Sequence, residues 1–264
     1  MSIFVERMQK VGREISAPIG FGTSSKRTDS FSDMIIIGGI GFEKFVKIYP
    51  SPHTHNTLIK KHELDNNVDA ILIDITSSVT KRVSDHIRQL EDNYSSLLTD
   101  RLWGVRSHSL TMEQLSHIKE IGCDFIVFDI GETPAIILSD ESIGKVIALG
   151  TEVDNDLSNA VDCLNLDCVL FISKDLSLPL TVGEMVKFQM VRNRIDKHFI
   201  VEIPTDLEPN DVETLRNANI SGLLIDLESP KAITKLKKTI SDLPVRKDKS
   251  RNRSSMEPQL YGNP

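Results

Sequence analysis

Three cysteines in 264 residues are too few, and odd in number, for a disulfide framework. Cys123, Cys163 and Cys168 all fall in stretches that read as packed elements, so a reducing, cytoplasmic setting is expected. Long apolar runs are also missing. The longest, 34–37 with a glycine-rich continuation to Phe42, falls far short of the roughly 18 residues of a spanning helix, and no membrane segment is expected. The opening MSIFVERMQKVGREIS carries charges where an export signal needs unbroken apolar sequence, so export is not expected. Aromatic residues make up 5% and the net charge is −7, with no Lys/Arg stripe, which argues against nucleic-acid binding. There is no Gly-x-Ser-x-Gly elbow for a serine hydrolase and no cysteine at a strand end for thiol catalysis. What the chain does have is 39% apolar residues, enough for a core.

Those apolar residues come in short runs at 34–37, 70–73, 103–105, 125–128, 146–149, 168–172, 199–203 and 223–225. Successive runs start 21 to 36 residues apart, room for a strand, a helix and two short loops. The runs are continuous rather than alternating, as in parallel strands covered on both faces. Between them lie helical stripes: Val79, Val83, Ile87 and Leu90, then Leu157, Ala160, Val161 and Leu164. Thr111 with Gln114, and Thr181 with Glu184, have capping-box spacing, and Ser229 before Pro230 opens a last helix. The stretch 131–145 fits either a short helix or a hairpin.

An internal repeat orders these elements. Segments 67–74 (NVDAILID), 122–129 (GCDFIVFD), 165–172 (NLDCVLFI) and 219–226 (NISGLLID) align without gaps. Gly or Asn ends a helix in the left-handed conformation, a short polar residue turns the chain, and a strand follows. The copies are strands two, four, six and eight, so the unit is two strands and two helices. Eight βα units in about 210 residues with a two-unit repeat predict an α/β fold, a single closed (β/α)8 TIM barrel. The runner-up, an open doubly wound sheet, finds only a partial phosphate turn in Gly38-Gly-Ile-Gly41. The barrel is assigned to 34–243. Residues 1–33 are read as an N-terminal extension able to cover the barrel floor, and 244–264 as a disordered tail.

In such barrels the chemistry sits at the C-terminal strand ends. Those positions hold nine acids against two permanent cations, Arg106 and Lys174. The turns after strands seven and eight, 203–209 (IPTDLEP) and 226–230 (DLESP), contain no glycine, so the usual phosphate cup is absent. Asp74, Asp129 and Asp226 share one register on even strands. Either they form one inward layer that recruits a divalent cation or a basic side chain, or each caps the turn after its strand. Arg106, followed by Ser107 and His108, can fork onto a carboxylate or neutralise one of these aspartates. Glu152 and Glu202 are further candidates for substrate contact. His53 and His55, in 50–56 (PSPHTHN), resemble the metal-binding HxH of amidohydrolase barrels, but the partner histidines of that family have no counterpart after strands five and six.

Lys174, in 171–175 (FISKD), ends the sixth strand. With the eight-unit pattern it resembles the aldolase-type barrel superfamily, whose class I aldolases carry a Schiff-base lysine there. The resemblance implies aldolase- or lyase-like carbon–carbon chemistry on a carbonyl or carboxylate substrate. Lys174 would be the amine, Asp129 or Asp74 the acid/base, and Arg106 the anchor, with Glu152, Glu202 and Asp226 around the substrate. Two other readings stay open: a divalent-metal enzyme built on the aspartate layer, and a barrel without catalysis that serves as a binding or assembly module. The expected partner is a small molecule, with no nucleic acid and no membrane, and a homo-oligomer is compatible with the sequence. No cofactor is named by any motif.

Overall fold

The computed structural model describes residues 2–11, 33–49, 67–76, 83–98, 101–173 and 176–244. Eight parallel strands, β1 (Ile35–Gly41), β2 (Ala70–Asp74), β3 (Trp103–Ser107), β4 (Phe125–Phe128), β5 (Gly144–Leu149), β6 (Cys168–Phe171), β7 (His198–Glu202) and β8 (Gly222–Asp226), pair in sequence order. β8 returns to pair with β1, so the sheet is a closed barrel. Each apolar run read from the sequence overlaps one strand. Among the described residues eight α-helices accompany them: α1 (Ile3–Lys10), α2 (Phe42–Ile48), α3 (Val83–Leu98), α4 (Met112–Glu120), α5 (Asn155–Asp162), α6 (Val182–Arg192), α7 (Pro209–Asn217) and α8 (Pro230–Asp242). The ambiguous stretch before β5 holds a short 3₁₀ helix, Ala135–Ser139, and not a hairpin.

Local chemistry accounts for most of the helix ends. Thr111 and Gln114 at the start of α4, and Thr181 and Glu184 at the start of α6, form reciprocal capping boxes. In each, the threonine hydroxyl takes the N–H three residues on and the longer side chain takes the threonine N–H. Ser229 is the N-cap of α8, but its hydroxyl makes no capping bond, and Pro230 at the first helical position carries that start. Gly122 (φ 84°) and Asn219 (φ 61°) take the left-handed conformation expected of the repeat. Asn165 does not. α5 already ends at Asp162, and the Asn165 amide is occupied by the Leu138 carbonyl at 3.0 Å. For the same reason Leu164 lies beyond its helix and is exposed, as are Ala160 and Cys163. Val79 lies outside the described residues.

The side chains divide into two shells. Ile35, Ile37, Leu72, Phe125, Val127, Val146, Leu170, Ile200 and Leu224 fill the barrel, while the alternate residues of the same strands pack against the helices. Phe4, Val5 and Met8 of α1 join the inner shell, with the Phe4 ring stacked 4.0 Å from Phe125. Phe125 fits because its neighbours across the sheet on both sides are glycines, Gly104 and Gly144. A Cβ on Gly104 would lie 2.5 Å from the Phe125 carbonyl oxygen and 2.6 Å from its ring.

At the N-terminal ends of the strands the repeat shows its purpose. Asp69 Oδ2 accepts the N–H of Ile36 at 2.9 Å, and Asp167 Oδ2 accepts that of Lys145 at 2.8 Å. The Asp124 carboxylate takes the N–H groups of Trp103 and Ile3, and Ser221 Oγ meets His198 Nδ1 at 3.2 Å. Each odd strand is thereby fastened to the even strand that follows. The Arg7 guanidinium grips both the carboxylate and the carbonyl of Asp69, at 2.9 and 3.0 Å, so α1 hangs from two of the four junctions. Closure at the ends of the barrel rests on buried Arg216, whose Nη1 donates to Asp33 Oδ2 at 2.9 Å and to the Pro244 carbonyl at 2.6 Å.

Two outcomes follow for stability. Gly104→Ala, which forces a methyl against backbone, lowers unfolding free energy in chemical denaturation by about 1–3 kcal/mol, whereas Gly150→Ala, with nothing within 4 Å of its Cβ, stays near wild type. The second concerns Glu184. Burial alone would raise its carboxyl, but the N–H groups and hydroxyls of Thr181 and Ser177 outweigh it and hold it down at about 2. A depressed carboxyl adds stability that is complete above its ordinary value of 4.5 and is lost as pH falls toward 2. Glu184→Gln keeps an acceptor without the titration. Its urea midpoint therefore drops less than that of wild type between about pH 5 and about pH 2.5.

Candidate functional site

The opposite end of the barrel, where the strands finish, is built differently. Strand parity fixes which side chains point in. Asp74, Arg106, Glu202 and Asp226 are the last or next-to-last residues of β2, β3, β7 and β8, and alternate with outward residues such as Ile73, Val105, Val201 and Ile225. Asp129 follows β4 with the same parity as Phe125 and Val127.

Asp74 and Arg106 are directly opposed across β2 and β3, and Arg106 Nη1 stands 3.7 Å from Asp74 Oδ2. The other Asp74 oxygen accepts the N–H and hydroxyl of Thr76, at 2.8 and 2.5 Å. Asp226 Oδ1 likewise accepts the Glu228 N–H at 3.0 Å. Both aspartates thus cap the turn after their strand, and Asp74 also meets a cation. Asp129 differs, for its carboxylate is hydrogen-bonded to His108 Nδ1, in the loop after β3. That loop is tied to the loop after β4 by two more bonds: Ser109 Oγ donates to the Glu132 carbonyl at 2.9 Å, and Thr133 Oγ1 donates to the His108 carbonyl at 3.2 Å. Ser107 faces outward and is buried, its hydroxyl donating to the Ser109 carbonyl at 2.9 Å, so it shapes the loop.

Arg106 stands out energetically. Its side chain is 19% exposed, yet beyond the Asp74 contact it makes no hydrogen bond among the described residues, and its Nε is buried without an acceptor. A guanidinium has five N–H donors, and desolvating one without acceptors is unfavourable. The site therefore holds a cation with donors to offer a planar anion. In the loop that follows the same strand sits an imidazole whose ring is oriented by Asp129 through Nδ1, which leaves Nε2 for proton transfer.

Across the mouth, Lys44 at the start of α2 donates to Glu228 Oε2 at 2.7 Å. The hydrogen bond and charge of Glu228 raise the lysine pKa, with a smaller contribution in the same direction from Asp226. Glu202 is half-buried, with no hydrogen bond or ion pair among the described residues, and Glu152 is exposed beyond β5. The three aspartates do not converge on one point. Among the described residues the one group of three His, Cys, Asp or Glu with ligand atoms within 4.8 Å of one another is Glu91, His117 and Glu120, on the outer surface between α3 and α4. Lys174, His53 and His55 lie outside the described residues. The pairing of His108 with Asp129 escaped the sequence reading. Its signal was positional: each residue lies just past the end of neighbouring strands three and four.

No protein-family model matches the chain, and no curated protein matches it. Solved structures do. A tryptophan synthase alpha-subunit variant from Pyrococcus furiosus superposes with a TM-score of 0.55 at 14% identity, covering 81% of this chain and 99% of its own. The tryptophan synthase complex of the same organism gives 0.52 at 15% identity, covering 80% and 98%. The alpha subunit from Legionella pneumophila gives 0.54 at 9% identity, covering 80% and 94%. The chain is therefore similar in fold to these tryptophan synthase alpha-subunits.

The contrast between two arginines is measurable. Arg216→Met removes the partner of a carboxylate and of a carbonyl and costs about 3 kcal/mol of stability. Arg106→Met removes a guanidinium that the fold leaves poorly satisfied. It costs no more than about 0.5 kcal/mol in the same denaturation experiment, or is stabilising.

Proposed function

We propose that the chain is an enzyme acting on a small carboxylate-bearing carbonyl compound at the C-terminal mouth of the barrel, by aldolase- or lyase-type carbon–carbon chemistry. The observation that carries this reading is Arg106, a largely buried guanidinium with unused donors, beside the His108–Asp129 pair. Arg106 forks onto the substrate carboxylate and fixes its orientation. His108, held by Asp129, gives and takes the proton at the reacting carbon, in the way a positioned imidazole does near neutral pH. Asp74 keeps the Arg106 guanidinium in place and supplies a second carboxylate at the mouth. Lys174 supplies the amine. It adds to the substrate carbonyl and loses water to give a protonated imine, which accepts the electron pair of the bond between its α and β carbons. The β-hydroxyl gives its proton to His108 and that fragment leaves as a carbonyl compound, and the enamine left behind is reprotonated at the α carbon and hydrolysed. Glu202, Asp226 and Glu152, at or just beyond the strand ends, favour a singly charged substrate over a polyanion. The turns after β7 and β8, without glycine and rich in acids, support the same preference.

The likeness to tryptophan synthase alpha-subunits supports a lyase-related barrel, and the presence of such a barrel in a complex makes a partner subunit or a second copy part of the proposal.

Borohydride added with pyruvate or 2-oxobutyrate is expected to fix a covalent adduct on Lys174, read by peptide mass spectrometry. Arg106→Gln raises the oxo-acid concentration for half-maximal trapping about 10- to 100-fold, while His108→Asn leaves trapping intact and slows turnover by about 10²-fold or more. No adduct across a panel of small oxo acids overturns the Schiff-base chemistry. Trapping indifferent to Arg106→Gln overturns the role given to the anchor.

A further inference from the structure

A cavity of about 260 Å³ opens on the barrel floor, at the end opposite the mouth. It lies between α1 and the beginnings of β6 and β7. Its size suits a ligand of roughly ten non-hydrogen atoms.

One wall is apolar, formed by Val5, Met8 and Leu166. The other is charged, and its charges do not cancel one another. The Arg192 guanidinium is held in place from two sides: Nη1 donates to the Ile195 carbonyl at 3.0 Å, and its central carbon lies 5.4 Å from the Phe199 ring centre. It has no carboxylate partner among the described residues. Lys197 and Asp196 are adjacent in sequence, yet neither side chain has an ion pair or hydrogen bond among the described residues. Gln9 of α1 also lines the cavity with its amide, and the other two polar groups are engaged. Asp167 takes the Lys145 N–H as part of the floor fastening, and His198 Nδ1 meets Ser221 Oγ. What is left to offer a ligand is a guanidinium edge, an ammonium, a carboxylate and the Gln9 amide, beside the apolar wall formed by α1 and Leu166.

The complement of that set carries a carboxylate, an ammonium and a short apolar body. We infer that the floor cavity is a binding site for an α-amino-acid zwitterion with an apolar side chain. The ligand carboxylate meets Arg192 and Lys197, its ammonium meets Asp196, and its side chain rests on Val5, Met8 and Leu166. A phosphate is disfavoured by Asp167 and Asp196, and an uncharged apolar molecule leaves all three charges unanswered. Because α1 forms one wall, an occupant holds α1 against the barrel, and binding is linked to the stability of that helix.

The test is calorimetric titration of the full chain with L-leucine, N-acetyl-L-leucine and L-leucinamide, repeated with Lys197→Gln and Asp196→Asn. These two residues lie outside the core, so the variants fold even where Arg192→Gln does not. L-leucine binds with a Kd tighter than about 1 mM, each blocked derivative and each variant weakens binding by at least about tenfold, and leucine slows amide exchange in residues 3–10. The inference is overturned if leucine, methionine, valine and phenylalanine all fail to bind at about 10 mM. It is overturned equally if N-acetyl-L-leucine binds as well as leucine, or if both variants bind leucine as wild type does.

Discussion

Everything in this barrel hangs from the fastening of odd strands to even ones at the floor. A parallel strand entering a closed sheet begins with an N–H that its neighbour cannot fully satisfy, and a short acid one residue before the next strand reaches back to take it. Asp69, Asp124 and Asp167 do this in three quarters of the barrel, while Ser221 meets a histidine side chain in the fourth. The four-copy sequence repeat is the trace of that requirement, and its conspicuous acids are structural. Burial makes ionisation of Asp124 harder, the backbone N–H groups of Trp103 and Ile3 oppose that, and the carboxyl ends above its ordinary pKa. The same acids then serve α1, whose Arg7 and Ile3 attach to two of them.

The mouth obeys the opposite rule. On the floor the fastening acids meet donors, and Phe125 is fitted between two glycines and Phe4. At the strand ends Arg106 is left with donors unused, Glu202 has no partner among the described residues, and the His108–Asp129 pair is held on loops that are themselves tied together. An arrangement that leaves a largely buried guanidinium short of acceptors at the strand ends is characteristic of a site that awaits a ligand.

How much of this could be read in the chain depended on range. The eight strands and both capping boxes are local, and each was legible because a pattern of a few residues determines it. The inward parity of Asp74, Asp129 and Asp226 followed from their shared register, but what each meets did not. Asp74 and Asp226 answer to residues two positions on, whereas Asp129 answers to His108, twenty-one residues back across a strand boundary. The fit of Phe125 against Gly104 and Gly144 is invisible in sequence for the same reason: it is a property of neighbouring strands. The left-handed asparagines were half legible. Asn219 follows its helix closely enough to need that conformation, and Asn165 stands three residues past one that has already ended.

Arg216 carries a last implication. One side chain touches a residue two before the first strand and a residue that follows the last helix, so the barrel begins and ends within a single guanidinium's reach, on the floor side. A polypeptide with neighbouring ends can be cut open elsewhere and rejoined there, or set whole into the loop of a host protein, without rearranging its sheet.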